Sequence, residues 1–438
     1  MNKTVNQRLS PRKKKKKNNK GIALLIAIFS LGLLAFFDME VSYETKVEYI
    51  VASQKINRLR SYYAAKAGVE LSLLRILLYK KAIAQYGEQL GENKSMLDPI
   101  WNFPFAWPPS KFIPKEDVTT VTYETIKAVE KESLMDATYI TQIETEGGKI
   151  DINDLGSDIK SLRESTKQQL LKIFKLEIEN NEKFQEKWRN TDFNELINNI
   201  TDWIDEDEES LNGGNEKQFY QEFIKEYKAE EVIPPNKPFK TIEELHMVAG
   251  MKDDFYTLLK NRITVFGVKG INVNFADKDM LKSLDEQIDD EVVKEILKRR
   301  SSPELGGPFK NEEDFETFLD TFINVEKFNE GGIPLFFDNP YNFRIVSIGE
   351  FAKATSEITV VTYDVENLVG RLADYLDKQD EENTKDSGEE QNQEQDKEKE
   401  DKNANNEQTN QQDKKNDKSK EKKPIPSGRP RIVLWQEK

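Results

Sequence analysis

An acidic loop between Asp202 and Glu216 carries the residues best suited to bind a metal ion. Its acids and bending glycines are Asp205, Asp207, Glu209, Gly213, Gly214 and Glu216. Calcium takes about six to eight oxygen ligands from carboxylates, amides and carbonyls, and loops of this composition supply them. The spacing is not that of an EF-hand, and most acidic loops are merely solvated. The spacing alone therefore leaves two interpretations open, a cation site and a solvated loop.

Other candidates for chemistry are few. The chain has one histidine, His246, and no cysteine, which excludes thiolate metal sites and histidine-rich zinc sites. A Ser-His-Asp triad needs only one histidine, but the Leu-His-Met pattern at His246 is typical of an ordinary helix residue. The acidic pairs lie in loops and charged runs and not in any pattern typical of a pocket. We therefore predict that the protein is not an enzyme.

Composition limits which partners the protein can bind and how much of the chain can fold into a packed core. The chain has 438 residues and a net charge of −15, with 37% hydrophobic and 33% charged residues. That length allows two or three domains, although part of it carries too few apolar residues to pack. An acidic balance argues against a nucleic-acid partner, because phosphate neutralisation needs a basic surface.

The elements that must position the acidic loop begin with a membrane anchor. The first twenty residues hold nine basic side chains and no acidic one, and the run Gly21–Phe37 has no charge. At about 1.5 Å per residue, this run crosses most of a bilayer core of about 30 Å. It is longer than the apolar core of a cleaved signal peptide, and no small-x-small site follows it. The basic block predicts a cytoplasmic N-terminus.

Helical periodicity continues past the anchor. No proline occurs from Asp38 to about Tyr86, and apolar residues recur at helical spacing with a polar opposite face. The sequence therefore predicts one continuous helix of about 60 residues, with its transmembrane part at 22–37 and its outer part at 38–86. Its outer part should pack on a domain.

A series of motifs resembles one family. In chain order these are Gly21–Leu25, Tyr62–Glu70, Gly147–Leu155, Thr201–Asp207, Pro238–Phe239 and Ile271–Asn274. Each motif alone is weak, but the ordered series over about residues 20 to 365 resembles the K-type minor pseudopilin of the type II secretion system. The resemblance implies that prepilin peptidase removes the basic leader 1–21 between Gly21 and Ile22, with methylation of the new terminus. Ile26 stands where most pilins and pseudopilins carry glutamate.

Function, partners and ligands follow from the resemblance as expectations. It implies an inner-membrane, single-pass subunit with a periplasmic body, at the tip of the pseudopilus. The expected partners are the I- and J-type minor pseudopilins, the major pseudopilin and prepilin peptidase, with no nucleic acid. The resemblance also implies calcium in the helical domain. Of the acidic loop, Asp205 and Asp207 are the strongest candidate ligands, followed by Asn212 and Glu216.

The fold class expected is α+β, with a pilin-like long helix packed on an antiparallel sheet and a large inserted all-α domain. The alternating segments predicted as strands are Thr119–Tyr123, Ala137–Glu144, Tyr341–Ile348 and Glu357–Asp364. These place the sheet in residues 87–150 and 336–372, and the helical insertion in residues 151–335. The aromatic- and proline-rich stretch at 87–116 is predicted to be an ordered loop over the base of the helix.

The end of the chain combines a polar run with an apolar segment. Residues 373–426 are almost entirely charged or amide-bearing and are predicted to be disordered. Residues 427–438 read as a strand. We expect this strand to pair with the sheet near Thr359–Tyr363, because long loops add little closure entropy.

Two alternative functions share some of these features. A minor pilin at the tip of a type IV pilus would have the same leader and helix. A membrane-anchored DNA receptor is suggested by a faint repeat, in which Gly148–Asn153 and Lys269–Asn274 each precede helices that resemble helix-hairpin-helix units. The hairpin at Leu284–Asp290 is acidic and lacks the glycines that approach a phosphate. We therefore predict that the DNA function is absent.

Overall fold

The structure of the protein is a computed structural model, and it describes residues 20–111, 113, 116, 118–221, 234–326, 328, 332–371 and 429–438. The predicted leader before residue 20 and the predicted disordered run 373–426 lie outside the described residues. The helices are α1 (Lys20–Leu90), α2 (Pro99–Asn102), α3 (Thr120–Glu132), α4 (Lys160–Asn180), α5 (Glu182–Trp188), α6 (Phe193–Ile204), α7 (Asp253–Leu259), α8 (Lys278–Leu284), α9 (Asp290–Ser301) and α10 (Glu312–Leu319).

Three sheets are formed by the described strands. The strands are β1 (Phe105–Trp107), β2 (Thr138–Thr145), β3 (Ile150–Asp151), β4 (Ile263–Thr264), β5 (Ile271–Asn272), β6 (Leu335–Phe336), β7 (Phe343–Phe351), β8 (Ala354–Thr362) and β9 (Ile432–Glu437). The main sheet is antiparallel in the order β1-β2-β7-β8-β9. Two short parallel pairs, β3 with β4 and β5 with β6, lie in the helical part between β2 and β7.

Helix α1 is continuous over 71 residues and changes its surroundings along its length. Residues 21–52 are exposed throughout, whereas Val69, Leu73, Ile76 and Tyr79 are buried against the main sheet. By length and composition, α1 is the one described helix that could cross a membrane. The predicted long helix that combines an anchor-like half with a packed half is therefore present.

Small residues let α1 lie close to the sheet. A Cβ atom at Gly349 of β7 would lie 2.1 Å from the backbone oxygen of Ser61 and 2.4 Å from the amide nitrogen of Ala65. A Cβ atom at Gly68 would lie 2.3 Å from the hydroxyl of Ser347. These two close approaches, of Gly349 to the α1 backbone and of Gly68 to the sheet, explain why glycine occupies both positions, since any larger side chain would push the helix off the sheet.

The predicted strand at Thr119–Tyr123 is wrong, because these residues begin helix α3. Thr119 caps the helix by accepting a hydrogen bond from the amide of Thr122 at 3.2 Å. Cap chemistry and the helix-forming residues that follow therefore outweigh the β-branched alternation. The other predicted strands correspond to β2, β7 and β8.

The stretch predicted as an ordered loop contains helix α2 and strand β1, which the sequence did not predict. Its Trp101 is buried edge-on against Tyr79 and Phe343, with ring centroids 6.3 and 5.2 Å apart, so the stretch packs at the base of the helix. Strand β9 pairs with β8, with Val360 opposite Trp435. The terminal segment thus returns to the sheet as expected, and the α+β fold class is confirmed.

The helical domain contains a duplicated unit. We call residues 150–264, from β3 to β4, the first repeat and residues 271–336, from β5 to β6, the second repeat. In the first repeat, the Asn153 side chain accepts from the amide of Phe239 at 2.7 Å and donates to its carbonyl at 3.1 Å. Asn274 makes the same pair of bonds to Phe309, at 2.8 and 2.7 Å. The faint sequence repeat therefore corresponds to a repeated asparagine clamp, and both repeats share one hydrophobic core.

Candidate metal site

The acidic loop begins at the C-terminal end of helix α6. The helix begins at an Asp192 cap, whose carboxylate accepts from the amide of Asn194 at 2.9 Å. Its apolar residues are buried, and it ends at Ile204, directly before Asp205. Trp203 lies parallel to Phe239 with ring centroids 5.8 Å apart, which fixes the helix end against the segment that Asn153 clamps. The loop therefore leaves from a rigid base.

The loop is closed by its own hydrogen bonds. The buried carboxylate of Asp202 accepts from the Ser210 hydroxyl at 2.7 Å and from the Leu211 amide at 3.1 Å. Gly213 and Gly214 both have φ of 88°, a left-handed conformation that favours glycine. The glycine pair thus turns the chain back, so that Glu216 returns toward the end of α6.

Three carboxylates meet inside this loop. One carboxylate oxygen from each of Asp205, Asp207 and Glu216 lies within 4.8 Å of the others. We call these three residues the carboxylate cluster. Glu216 is only 2% exposed, and its Oε1 has no hydrogen-bond partner among the described residues; the same is true of Oδ1 of Asp205. Buried carboxylate oxygens without partners are costly, and a cation or a bound proton would relieve that cost.

Electrostatics supports this interpretation. Burial and the neighbouring carboxylates of Asp207 and Asp202 raise the pKa of Asp205 to about 6. Burial raises the pKa of Glu216 to about 7; a hydrogen bond from Asn236 acts in the opposite direction, and the charges of Asp205, Asp202 and Asp207 contribute smaller increases. Within the described part of the chain, none of the cluster carboxylates forms an ion pair with lysine or arginine. The positive charge of Arg163 lowers the pKa of Asp205 in part, but among the described residues this compensation is by charge at a distance and not by an ion pair.

Asn212 does not join the cluster. Its amide nitrogen donates to the Glu195 carbonyl at 3.0 Å and to the Asn199 side chain at 2.8 Å, while its amide oxygen accepts from Asn198 at 2.9 Å. All three partners lie on α6. Of the four predicted ligands, the structure therefore brings together Asp205, Asp207 and Glu216, and it uses Asn212 to fasten the loop to the helix.

The roles of two residues of the site were not predicted from the sequence. Asp202 organises the loop from within α6, where an acid one turn from a helix end gives no distinctive signal. Asn236 donates from its amide nitrogen to the carbonyl of Asp207 and to Oε2 of Glu216, the latter at 3.2 Å. Its φ of 49° is left-handed. An asparagine between prolines, in Pro-Pro-Asn-Lys-Pro, was the signal for this turn.

The predicted processing residues lie at the start of α1. A Cβ atom added to Gly21 would have no neighbouring atom within 4 Å, and the next residue, Ile22, is exposed. Ile26 is exposed in the same apolar stretch. The placement makes the predicted cleavage site accessible, and cleavage itself stays a prediction.

Two other sequence features have ordinary surroundings. His246 lies in a short 3₁₀ segment, Ile242–Met247, with its ring 3.9 Å from that of Tyr256 and its Nδ1 3.9 Å from the Asp253 carboxylate. The hairpin between α8 and α9 faces α4, where Lys172 donates to the carbonyl of Leu284. These contacts are those of a surface histidine and of a packed hairpin.

Comparison with known protein families identifies a similar family. Residues 148–268 match the family model described as Type II secretion system (T2SS), protein K. The predicted resemblance to the K-type minor pseudopilin is confirmed. The matched segment spans the first repeat and contains the whole carboxylate cluster. A comparison with curated proteins gave no match.

A solved structure is also similar. A chain in the crystal structure of the GspK-GspI-GspJ complex from the type 2 secretion system of enterotoxigenic Escherichia coli is 16% identical, with a TM-score of 0.40. The match covers 73% of this chain and 95% of that chain. At this TM-score the similarity has no bearing on function.

Proposed function

We propose that this chain is a K-type minor pseudopilin of a type II secretion system. In this function, α1 anchors the subunit in the inner membrane, with the body in the periplasm. The subunit sits at the tip of the pseudopilus, initiates its assembly with the I- and J-type minor pseudopilins and the major pseudopilin, and thereby supports secretion across the outer membrane. The observation that carries the proposal is the protein K match over residues 148–268.

The structure of α1 supports a role in a helical assembly. Val47, Ile50 and Val51 are exposed on the part of α1 that precedes its buried segment. An apolar helix surface of this length needs lipid or other helices to cover it. Neighbouring subunits that contribute equivalent helices would cover it outside the bilayer, which is the arrangement that a pseudopilus requires.

Ile26 supports a leading position. A carboxylate in a membrane helix costs at least about 2.5 kcal/mol on insertion scales, and a pairing cation from a neighbouring subunit offsets this cost. A subunit with no neighbour ahead of it gains nothing from the carboxylate. An apolar residue at this position therefore suits a tip subunit, whereas an internal subunit would use glutamate.

The carboxylate cluster supports a calcium ion as part of the proposed function. Asp205, Asp207 and Glu216 offer hard oxygen ligands, the class that calcium prefers. The buried, unpartnered Oε1 of Glu216 is the observation that distinguishes the cluster from a solvated acidic loop. These three residues would hold the ion, which would neutralise the cluster and tie the loop to the start of the 3₁₀ segment Glu216–Tyr220.

Mass spectrometry of the mature N-terminus tests the proposal. The full chain is produced with and without prepilin peptidase, together with Gly21→Leu and the matched control Gly32→Leu, since both glycines lie in α1 with open space around them. We expect an N-terminal Ile22, in methylated form, for the wild type and the control. Gly21→Leu should keep Met1.

An intact Met1 in the wild type with active peptidase would contradict the proposal. A secretion assay then separates the two systems that share this processing. Deletion of the chain from its own host should abolish release of exoproteins and leave type IV pili in place. Loss of pili with normal secretion would favour the type IV pilus alternative.

A further inference from the structure

A chain of contacts connects the carboxylate cluster to the place where the helical domain joins the main sheet. Asn236 contacts the cluster, and Phe239, three residues later, is held at both its amide and its carbonyl by Asn153. The amide of Asn153 donates to Oδ1 of Asp151 at 3.1 Å. The clamp therefore lies directly between the cluster loop and strand β3.

Asp151 leads on to the joint, which we define as residues Gly267, Val268, Lys269, Asn342 and Arg371. Lys269 donates to Oδ2 of Asp151 at 3.3 Å. A Cβ atom at Gly267 would lie 2.4 Å from that of Asp151, so the two backbones are in close contact. Strand β3 is therefore in direct contact with the first residues of the joint.

The joint itself is buried and polar. The fully buried Asn342 donates to the carbonyls of Phe266 and Gly267, at 2.8 and 3.2 Å, and accepts from the amide of Asp364 at 2.9 Å. Arg371 donates to the carbonyl of Val268 at 2.7 Å. Buried hydrogen bonds of this kind are geometrically demanding, because a misplaced partner leaves a polar group unsatisfied.

We propose that Asn153 is a positioning residue that couples the carboxylate cluster to this joint, so that a cation in the cluster stiffens the attachment of the helical domain to the sheet. The inference rests on the proposed calcium site. A cation that draws Asp205, Asp207 and Glu216 together fixes Asn236, and with it the clamped Phe239. Coupling of this kind is reciprocal, so a loosened joint must weaken cation binding by the same factor.

The second repeat offers a matched control. Asn274 clamps Phe309 with the same two hydrogen bonds, but Phe309 does not lead to the carboxylate cluster. Asn153→Ala and Asn274→Ala remove the same pair of contacts to a phenylalanine backbone from the same core, and Asn274→Ala also removes a longer bond to the carbonyl of Phe337, at 3.4 Å. A merely structural role for the clamp predicts equal effects of the two variants on calcium, whereas the coupling predicts unequal ones.

The experiment uses the full chain in detergent micelles and calcium chloride as the probe. Calorimetric titration gives the calcium Kd, and hydrogen exchange with mass spectrometry follows peptides that cover residues 264–269 and 342–346. We expect calcium to slow exchange in these peptides at least fivefold in the wild type and in Asn274→Ala. In Asn153→Ala this protection is lost, and Kd rises about tenfold or more.

Asn153→Asp keeps the oxygen that accepts from Phe239 and serves if the alanine variant does not fold; a smaller rise in Kd is expected. Equal protection of the joint in the wild type and in the folded Asn153 variant would overturn the coupling. So would an Asn274→Ala variant that weakens calcium as much as Asn153→Ala. If the wild type binds calcium but its joint does not respond, only the coupling fails. If the wild type binds no calcium, the proposed site fails as well.

Discussion

The two repeats of the helical domain use the same clamp but neutralise their acids differently. The acids of the hairpin in the second repeat are compensated by two lysines of α4, which belongs to the first repeat: Lys172 approaches Asp285 to 3.9 Å, and Lys175 pairs with Glu286. In the first repeat, the carboxylate cluster has no such partner within the described residues, and two of its oxygens are unpartnered. The hairpin acids therefore have lysine counter-ions within the chain, whereas the carboxylate cluster would be neutralised by an external cation in the function proposed above.

The largest expected effect is the loss of calcium-dependent stability when a carboxylate of the first repeat is replaced. Calcium at 100 times its Kd should stabilise the wild type by about 2.7 kcal/mol. Glu216→Gln should abolish this gain, because it replaces a buried charged ligand. Glu286→Gln, the matched change in the second repeat, should keep the gain. Denaturant unfolding with calcium and with EDTA measures both.

An equal loss of calcium-dependent stabilisation in Glu216→Gln and Glu286→Gln would contradict the difference between the two repeats. It would mean that the acids of both repeats contribute to one diffuse electrostatic effect. A full calcium response in Glu216→Gln would mean that the unpartnered oxygen of this residue has no part in binding.

The next effect tests the counter-ion that α4 supplies to the hairpin of the second repeat. Lys172 is largely buried, and besides Asp285 it donates to the carbonyl of Leu284. Lys172→Met should lower the free energy of unfolding by about 1–3 kcal/mol, since it removes the cation beside Asp285 and the side chain that donates to the carbonyl of Leu284. Lys175→Met, at the exposed ion pair with Glu286, should cost less than about 1 kcal/mol. Urea unfolding in EDTA compares them, and equal losses would contradict the assignment of Lys172 as the structural counter-ion.

The pH dependence of stability should distinguish the repeats when calcium is absent. Raised pKa values of about 7 for Glu216 and about 6 for Asp205 mean that the folded state binds protons more tightly than the unfolded state. In EDTA the stability contributed by these groups is present below about pH 4 and is lost as pH rises to about 7, with a slope below about 1.4 kcal/mol per pH unit for each proton. Asp290, paired with Lys278 and Lys282, has a lowered pKa and contributes in the opposite direction.

Unfolding midpoints between pH 4.5 and 7.5 check this prediction. Glu216→Gln should flatten the decline in EDTA, whereas Asp290→Asn should not. A decline that persists unchanged in Glu216→Gln would assign the pH dependence to groups outside the cluster.

The sequence predicted the scaffold better than the site. Long-range periodicity sufficed for α1, β7, β8 and the pairing of β9, because each carries a strong pattern over many residues. Three of the four proposed ligands also lie together. The contribution of Asn236 was not visible, since it depends on a turn that returns from 20 residues beyond Glu216. Loop closure in three dimensions, and not composition, decides which acids and amides meet.

The smallest expected effect is that of replacing Asn212, which was predicted from the sequence to be a ligand. Its amide fastens the loop to α6 at Glu195 and Asn199, so Asn212→Ala should cost about 1 kcal/mol. The cost should be nearly the same in calcium and in EDTA, because the residue lies outside the cluster. Unfolding curves under both conditions give this difference. A cost that appears only with calcium would return Asn212 to the ligand set and would mean that the first repeat rearranges when the ion binds.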